Sequence, residues 1–150
     1  MEINWACTFF TELSGTEVYR ILQLRSKVFV VEQNCVYVDA DDKDAVSFHV
    51  MAWVNNELAA YCRILPANVV YDVPSIGRVI VHPNFRNKGL GVDLMKNAID
   101  YTFAIYSKQQ AIKIAAQCYL LVFYTSFGFV INGPQYLEDN IPHIEMLLKK

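Results

Sequence analysis

Residues 76–91 dictate the architecture and read Ile76-Gly77-Arg78-Val79-Ile80-Val81-His82-Pro83-Asn84-Phe85-Arg86-Asn87-Lys88-Gly89-Leu90-Gly91. The first part, 76–82, is rich in valine and isoleucine, which predicts a strand that is covered on both faces. The last part is a glycine-containing turn, and apolar residues then recur at helical spacing over 94–105. A strand, a tight turn and an amphipathic helix therefore follow one another directly.

Beyond this stretch, the hydrophobic pattern predicts the remaining elements. Strands are expected at 5–9, 47–54, 58–65, 111–117, 129–132 and 143–148. Helical spacing predicts one helix from residue 16 to 32–34, after a Ser14-Gly15-Thr16-Glu17 capping box, and a short one over 119–127. This order predicts the α/β class, or α+β by a stricter definition, with a mixed sheet and helices on both faces.

Length and composition exclude several classes of protein. A chain of 150 residues with 54% hydrophobic content fits a single domain, residues 1–150, and excludes disorder. The net charge of −2 leaves no broad positive field, so no nucleic-acid partner is expected. No apolar run approaches the roughly 20 residues of a membrane span, and the N-terminus lacks the basic start of a signal peptide. We expect a soluble, cytoplasmic protein with no membrane partner.

The cysteines and histidines do not form a spaced metal set. The four cysteines lie too far apart for a zinc site or a disulfide scaffold, which predicts reduced core thiols at Cys7, Cys35, Cys62 and Cys118. His49 alternates within a strand and is interpreted as structural, and His82 is interpreted as a turn residue. No metal is therefore predicted.

The turn at 86–91 has the features of an anion-binding site. Backbone N–H groups at a helix start lack partners within the helix and carry partial positive charge, so a glycine turn lets a phosphate approach them closely. Arg86 and Lys88 would add charged donors to such a diphosphate site. The turn lacks the GxxxxGK[ST] pattern of a P-loop and the third glycine of a dinucleotide fingerprint, so ATP and NAD are not favoured. Gly89 and Gly91 also fit an alternative in which they only permit tight packing at a helix start.

The pattern Arg86-x-x-Gly89-x-Gly91, with Gln117 and the later segment 123–129, Phe-Tyr-Thr-Ser-Phe-Gly-Phe, resembles the GNAT superfamily of N-acetyltransferases. A closer resemblance, to its ElaA-like branch, is carried by the segments 24–35, 63–66, 76–79, 116–117 and 138–146. The resemblance implies a mostly antiparallel mixed sheet with a central parallel splay. Asn87 and Asn140 stand where glycine is expected, and asparagine is the residue that best tolerates left-handed angles after glycine.

The resemblance also implies that acetyl-CoA is the co-substrate and lies in the splay between the strands at 79–81 and 111–117. The turn would hold the pyrophosphate, and the strand before it would pair with the pantetheine arm. An unpaired backbone N–H of Ile80 or Val81 could then bind the thioester oxygen. The residues implied in acetyl-CoA binding are Val79, Ile80, Val81, Arg86, Asn87, Lys88, Gly89, Leu90, Gly91 and Gln117.

Tyr124 is implied by the same resemblance to lie near the sulfur of the thioester. A phenol suits proton donation to a departing thiolate at neutral pH better than a carboxylate or an imidazole does, so Tyr124 is predicted to be the general acid. Its place on one helical face with Leu120 and Phe127 also fits a core tyrosine.

The general base is sought among the titratable residues of the ElaA-like segments. Glu138 and His143 are predicted to be catalytic, and Glu32 and Asp139 to bind substrate, although any of the four could take the amine proton directly or through water. Each also has a structural interpretation: a helix-end carboxylate for Glu32, a solvated turn for 138–139, and a hydrogen-bonded strand residue for His143.

Three arginines, Arg25, Arg63 and Arg78, lie in apolar segments, where an unpaired charge is costly. They are expected to pair with acids such as Glu32 or Asp39, in a network that is structural or shapes the acceptor pocket. The acidic run 39–44 is interpreted as a solvated loop, with attraction of a cationic amine as the alternative.

These observations predict an N-acetyltransferase that moves acetyl from acetyl-CoA to a primary amine by direct attack. Cys118 is the cysteine nearest the active segment in sequence, and no Cys-His arrangement supports an acyl-enzyme route. A non-catalytic CoA or acyl-CoA sensor is the main alternative, and a structural domain is the other. The acceptor is expected to be a small-molecule or peptide amine, and a homodimer is expected because two-fold symmetry is common.

Overall fold

The computed structural model describes residues 1–150 and contains one eight-stranded mixed sheet. The strands are β1 (Asn4–Phe9), β2 (Phe48–Val54), β3 (Glu57–Leu65), β4 (Ser75–Val81), β5 (Ala111–Gln117), β6 (Val130–Ile131), β7 (Tyr136–Glu138) and β8 (Ile141–Lys149). The helices are α1 (Gly15–Arg25), α2 (Leu90–Ile105) and α3 (Leu121–Thr125). The strand order is β1-β2-β3-β4-β5-β8-β6, with β7 paired to β8, and only β4 and β5 are parallel neighbours. The predicted mixed, mostly antiparallel sheet is confirmed.

Helices cover both faces of this sheet. On one face α1 places Ile21 and Leu24 in a buried cluster with Met51, Tyr61 and Ile80. On the other face, α2 and α3 pack on the sheet in a larger core that includes Val50, Cys62, Leu94, Met95, Ala98 and Tyr124. Each fully buried aliphatic side chain in these clusters contributes about 1.5 to 3 kcal/mol to folding. No helix of the chain is both long and apolar enough to cross a membrane.

The first helix begins where the capping pattern predicts. Ser14 Oγ accepts a hydrogen bond from the Glu17 N–H at 3.1 Å, and Glu17 Oε1 accepts one from the Ser14 N–H at 2.8 Å. Both donors would otherwise be orphaned at the helix start, so the predicted capping box is confirmed.

The end of the first helix differs from the prediction. After Arg25 the chain continues as a π-helical turn, Ser26–Glu32, and not as an α-helix to 32–34. In this turn the Gln33 N–H donates to Val28 O, five residues earlier, at 3.1 Å. An apolar pattern that spans only two turns fits both the α-helical and the π-helical hydrogen-bond ladder, so its periodicity does not distinguish the two helix types.

The parallel pair β4 and β5 forms the predicted splay. The two strands are paired only at Ser75 and Lys113, where the Lys113 N–H donates to Pro74 O at 3.0 Å. From that point to their C-terminal ends, Val81 and Gln117, no ladder joins them. The sheet is therefore open between these two strands on the side where both end.

A β-bulge interrupts β4 beside this opening. Tyr61 pairs with Ile80 and Arg63 pairs with Gly77, so two residues of β4 face a single residue of β3. Arg78 lies in the bulge with φ +52°, a conformation that costs a non-glycine residue about 1 to 3 kcal/mol. The bulge leaves no trace in the Val/Ile pattern and was not predicted.

The C-terminal part was predicted less accurately. No strand is predicted between 132 and 143, whereas 136–138 forms β7 and β8 begins at Ile141. Asp139 and Asn140 join them with φ +50° and +63°, the two-residue hairpin turn of type I′ that asparagine tolerates. Pro142 is accommodated because β5 pairs with β8 only from His143 onward.

The predicted helix over 119–127 is shorter and irregular. A 3-10 turn, Cys118–Leu120, precedes α3, and Gly128 follows with φ +99°, as predicted for a left-handed cap. The strand predicted at 129–132 is reduced to the two residues of β6.

Candidate active site

The splay opens into a cleft of about 900 Å³, a size typical of small-molecule sites. Its walls are β4 and β5, the π-helical turn with the following segment 33–43, and the β7–β8 hairpin. The start of α2 and part of α3 close one end. Most of the lining side chains are apolar, so the few polar groups in the cleft determine which chemistry it can perform.

The glycine turn lies at the mouth of this cleft. Residues 86–89 are exposed to solvent, and the buried Leu90 side chain anchors the start of α2. Asn87 and Gly89 have φ +63° and +78°, so asparagine replaces the expected glycine in a left-handed conformation it can adopt. The first-turn N–H groups of α2 have no helical acceptor and are available to an anion.

The two glycines of the turn differ in their surroundings. A Cβ atom at Gly89 would meet nothing within 4 Å, so tight packing does not explain this glycine and its backbone angle does. A Cβ atom at Gly91 would lie 3.5 Å from Val81 Cγ2 and 3.8 Å from Phe123 Cζ, which is ordinary contact.

Arg86 makes two contacts across the mouth of the cleft. Its Nη2 lies 2.8 Å from Glu32 Oε1, and its Nε donates to Val81 O at 3.1 Å. The two predicted binding residues Arg86 and Glu32 are thus paired with each other. Lys88 extends over the Phe85 ring, with its Nζ 5.7 Å from the ring centroid.

The register of β4 against β3 determines which backbone N–H groups of β4 face the splay. The His82 N–H donates to Ala59 O at 2.8 Å, and hydrogen-bonded pairs alternate along an antiparallel ladder. The Ile80 N–H therefore points toward Tyr61 of β3, and the Val81 N–H points away from β3, toward the gap.

Tyr124 lies on α3 and lines the cleft although only 6% of its surface is exposed. Its ring makes edge contacts with Phe123 and Phe129, at centroid distances of 5.2 and 6.1 Å. Burial, with a smaller effect of the nearby Cys62, raises the pKa of its phenol, so the hydroxyl stays protonated at neutral pH. Tyr124 is thus both a packed residue and a protonated donor at the cleft wall.

Gln117, at the end of β5, contacts the opposite wall of the cleft. Its side-chain amide exchanges hydrogen bonds with that of Gln33, at 3.3 and 3.5 Å. Gln33 follows the π-helical turn, so the unpredicted turn geometry brings it to this position. No sequence signal singled out Gln33.

The β7–β8 hairpin brings His143 and Glu138 together. His143 Nδ1 lies 2.7 Å from Ile141 O, and Nε2 lies 3.7 Å from Glu138 Oε2. The Tyr136 ring stacks on the imidazole at a centroid distance of 5.9 Å. A carbonyl oxygen can only accept, so Nδ1 carries the proton of this hydrogen bond. Nε2 of the neutral imidazole is then a free proton acceptor at the cleft wall.

The other predicted substrate residue, Asp139, is exposed at the tip of the same hairpin and lines the cleft. Its backbone O accepts from Cys35 Sγ at 3.5 Å, which links the hairpin tip to the segment after the π-helical turn. Cys118 is absent from the cleft lining, whereas the buried Cys35 is part of it.

A buried ion network lies beside the cleft and corrects one interpretation. The acidic run 39–44 is not a solvated loop, because three of its four aspartates pair with the three arginines, and of the four only Asp42 is exposed. Asp39 binds Arg25 Nε at 2.6 Å and Arg78 Nε at 2.8 Å. The remaining pairs are Arg25–Asp44, Arg63–Asp41, Arg63–Asp44 and Arg78–Asp41, at 2.7, 2.6, 2.9 and 3.3 Å.

This network was only partly predicted. The pairing with Asp39 is confirmed, while Glu32 pairs with Arg86 and not with the buried arginines. Three arginines in apolar segments, together with one run of four aspartates, were the signal that could have pointed to the full set. Each such charge has to be paired because a buried unpaired ion costs several kcal/mol.

The remaining histidines have structural contacts. His49 is fully buried, with Nδ1 2.7 Å from the Tyr61 hydroxyl and Nε2 3.0 Å from Asp44 O. His82 Nδ1 accepts the Asn84 N–H at 3.0 Å and caps a 3-10 turn, which confirms the turn interpretation. All four cysteines are free thiols, and no group of His, Cys, Asp or Glu side chains is arranged to hold a metal ion.

Known proteins are similar to this chain over nearly its whole length. A family model of the acetyltransferase (GNAT) domain matches residues 20–150. The chain is 41% identical over 146 residues to the protein ElaA of Escherichia coli K12, a match that covers 96% of this chain and 95% of ElaA.

Solved structures agree with this similarity. An acyl-CoA N-acyltransferase from Pseudomonas aeruginosa superposes with a TM-score of 0.93 at 38% identity, covering 98% of this chain and 99% of that one. Escherichia coli ElaA superposes with a TM-score of 0.92 at 39% identity and the same coverage. A CoA-dependent acyl-homoserine lactone synthase, solved with SAM and isopentyl-CoA, shares the fold with a TM-score of 0.79 at 14% identity, covering 99% and 83%.

Proposed function

The chain belongs to the GNAT acetyltransferase family, in the branch that includes ElaA, and on that basis we propose that it transfers acetyl from acetyl-CoA to a primary amine by direct attack. One observation carries the proposal. A single cleft joins a helix start with free N–H groups, a buried protonated phenol and an imidazole whose Nε2 is free to accept a proton. These are an anion site, an acid and a base.

Acyl-CoA binding is assigned to the turn and to β4. The pyrophosphate would lie against the first-turn N–H groups of α2, with Arg86 and Lys88 as charged donors. Arg86 has to leave Glu32 for this purpose. Their ion pair is about 40% exposed, with side-chain values of 39% and 42%, and exposed pairs contribute about 0 to 1 kcal/mol. A hydrogen bond to a charged phosphate contributes about 1.5 to 3 kcal/mol, so the exchange is favourable.

The carbonyl of the thioester is assigned to the gap beside β4. The Val81 N–H points into that gap by the register of the strand, and a fixed N–H donor there would stabilise the oxyanion of the tetrahedral intermediate. Of the two candidates Ile80 and Val81, we therefore assign this role to Val81.

Proton transfer is divided between two side chains. As the amine nitrogen attacks the carbonyl carbon, His143 Nε2 takes its proton, and Glu138 stabilises the imidazolium so formed. When the carbon–sulfur bond breaks, the Tyr124 hydroxyl gives its proton to the thiolate. The products are amide and free CoA, and the imidazolium of His143 and the phenolate of Tyr124 then return to their resting forms by proton exchange with solvent.

The cysteines argue against an acyl-enzyme route and for a reducing compartment. Cys118 does not line the cleft, and Cys35, which does, is buried with its thiol directed at Asp139 O and not at a histidine. Four free thiols are typical of the cytoplasm, which supports a cytoplasmic location.

The proposal is tested in two steps on the purified chain. Calorimetry measures binding of acetyl-CoA, and a thiol-detecting assay then follows CoA release over a panel of polyamines, amino acids, aminoglycosides and short peptides. Amine-dependent CoA release is expected. Tight acetyl-CoA binding with no release for any amine would instead identify a sensor, and no binding at millimolar acetyl-CoA would reject both.

A further inference from the structure

Arg78 carries hydrogen-bond donors that no protein group uses. Its Nε and Nη2 are engaged by Asp39 and Asp41, at distances from 2.8 to 3.3 Å, while Nη1 has no partner. The side chain is 23% exposed and lines the cleft, so Nη1 is open to a ligand. Arg78 also lies in the bulge of β4, directly before the strand residues assigned to the thioester.

A second arginine adds to this excess of donors. Arg63 is 96% buried, with 4% of its surface exposed, and it lines the same cleft. Its Nε is the only buried side-chain polar atom of the chain without a hydrogen-bond partner. Leaving such a donor unpaired costs about 1 to 3 kcal/mol, so this end of the cleft has too few acceptors for its donors.

The charge that faces the cleft at this end is also positive. The three arginines and three aspartates of the network cancel, Asp42 is exposed and outside the cleft lining, and Lys43 adds one positive charge at the cleft wall. Lys43 is only weakly held, because its Nζ lies 3.9 Å from Asp41 Oδ2 and its side chain is 38% exposed. The β7–β8 hairpin, another wall of the cleft, carries the carboxylates of Glu138 and Asp139 beside His143.

The two walls therefore differ in sign across one pocket. We propose that the amine acceptor also carries a carboxylate, so that it is an amino-acid-like molecule. Its carboxylate binds Arg78 Nη1 and Lys43, and its amine faces His143 and Glu138. The inference rests on the proposed function, because it names the acceptor class of the same site.

Two aromatic side chains of the pocket contact the Arg78 guanidinium and support its role in binding a carboxylate. Phe29 and Tyr37 hold the Arg78 guanidinium between them, with ring centroids 6.0 and 5.9 Å from Cζ. A guanidinium fixed in this way, and tied to the buried Asp39, is preorganised to bind a planar carboxylate.

The kinetic test uses acceptors that differ only by a carboxylate. The pairs are glycine and methylamine, L-phenylalanine and phenethylamine, and L-lysine and cadaverine. Each kcat/KM is divided by the neutral fraction of the amine, because a carboxylate also changes amine basicity. We expect the carboxylated member to exceed its partner about tenfold or more, the effect of one charge-assisted hydrogen bond. Equal values within every pair would overturn the inference.

Two variants assign the effect to the pocket. Lys43→Met and Arg78→Lys are expected to raise the KM of the carboxylated acceptor about tenfold while kcat changes less. Arg78→Lys keeps a cation beside Asp39 and removes Nη1. Lys96→Met, which removes an exposed lysine from α2 outside the cleft, is the matched control and should leave both constants unchanged. If Arg78→Lys folds poorly, the exposed Lys43 still provides the test.

A binding measurement separates this inference from the proposed function. 3-Phenylpropanoate, which keeps the carboxylate and lacks the amine, is titrated calorimetrically into the CoA-saturated protein. We expect binding that Lys43→Met weakens about tenfold and Lys96→Met does not. That result without turnover of any amine would retain the carboxylate site and reject the transferase. Turnover of amines with no carboxylate binding would retain the transferase and reject the site.

Discussion

The proposed mechanism assigns proton transfer in the cleft to two side chains with opposite requirements. Tyr124 has to keep its proton until the thiolate leaves, and burial achieves this by raising the pKa of the phenol. His143 has to present an unprotonated nitrogen, and the bond from Nδ1 to Ile141 O directs the lone pair of the neutral ring to Nε2. Each role follows from one local environment.

Tyr124→Phe tests the acid. We expect kcat to fall about 100-fold, the lower range for a general acid, with little change in the KM of acetyl-CoA. The melting temperature should stay nearly constant, because the hydroxyl leaves no buried partner unsatisfied. Tyr101→Phe, on α2 and outside the cleft, is the control. Full turnover by the Tyr124 variant with every amine would show that the acid lies elsewhere.

His143→Gln tests the base. A glutamine side chain cannot accept the proton of the attacking amine, so we expect kcat to fall about 100-fold with little change in the KM of acetyl-CoA. The thiol-detecting assay measures both constants.

Glu138→Gln is the companion variant and should lose less than about tenfold, since it stabilises the imidazolium without accepting the proton. The assignment would be reversed if Glu138→Gln were inactive and His143→Gln retained its rate.

The helices and strands around the cleft contribute the groups at their ends to it. β4 ends in the turn, α2 begins with free N–H groups, and the π-helical turn brings Glu32 and Gln33 to the mouth. Because the sheet is splayed at the C-terminal ends of β4 and β5, all of these ends meet at one opening. The left-handed Gly89 fixes how α2 starts there.

Gly89→Ala is the corresponding prediction. An alanine at φ +78° is strained by about 1 to 2 kcal/mol, so the melting temperature should fall by about 2 to 8 °C. A displaced turn should also weaken acetyl-CoA binding about tenfold, as measured by calorimetry. Gly15→Ala provides the matched control, since its Cβ meets nothing within 4 Å and its φ is not left-handed. Equal behaviour of the two variants would contradict this role of Gly89.

The ion network connects distant parts of the molecule. Arg25 from α1, Arg63 from β3 and Arg78 from β4 converge on one loop, which is thereby fixed against the sheet. Burial alone would raise the pKa of Asp44, but the hydrogen bonds and charges of Arg25 and Arg63 outweigh it and hold that pKa below its usual range. Burial would likewise raise the pKa of Asp41, but the hydrogen bonds of Arg63 and the charges of Arg63 and Arg78 hold that pKa well below its usual range.

Acid sensitivity follows with a definite sign. A depressed folded pKa contributes stability above the ordinary aspartate value of about 3.9, and that contribution is lost as pH falls through the lower folded value. The urea midpoint should therefore be nearly constant between neutral pH and about pH 5 and decline steeply below about pH 4. Urea unfolding at a series of pH values measures this.

Asp44→Asn should be less stable by about 3 to 5 kcal/mol at neutral pH, because three guanidinium groups then share two carboxylates and one positive charge of the network stays uncompensated. Its midpoint should also depend less on acid pH than that of the wild type. An equally steep decline in the variant would mean that other carboxylates cause the acid sensitivity.

Local sequence patterns were sufficient to predict much of the secondary structure of this protein. The capping box, the strands β2 and β3, and the strand before the turn were all predicted from neighbouring residues. Periodicity and backbone angle are properties of a few consecutive residues, so composition and spacing are enough to specify them.

The features that were not predicted depend on contacts between residues far apart in the chain. The bulge at Arg78, the six-member ion network and the pairing of Arg86 with Glu32 each require a contact that local sequence does not encode. Arg78 and Asp39 are 39 residues apart, and Gln33 and Gln117 are 84 apart. Such pairs form only once strand register and helix docking have brought the elements together, and so packing of the whole chain assembled the polar groups of the cleft.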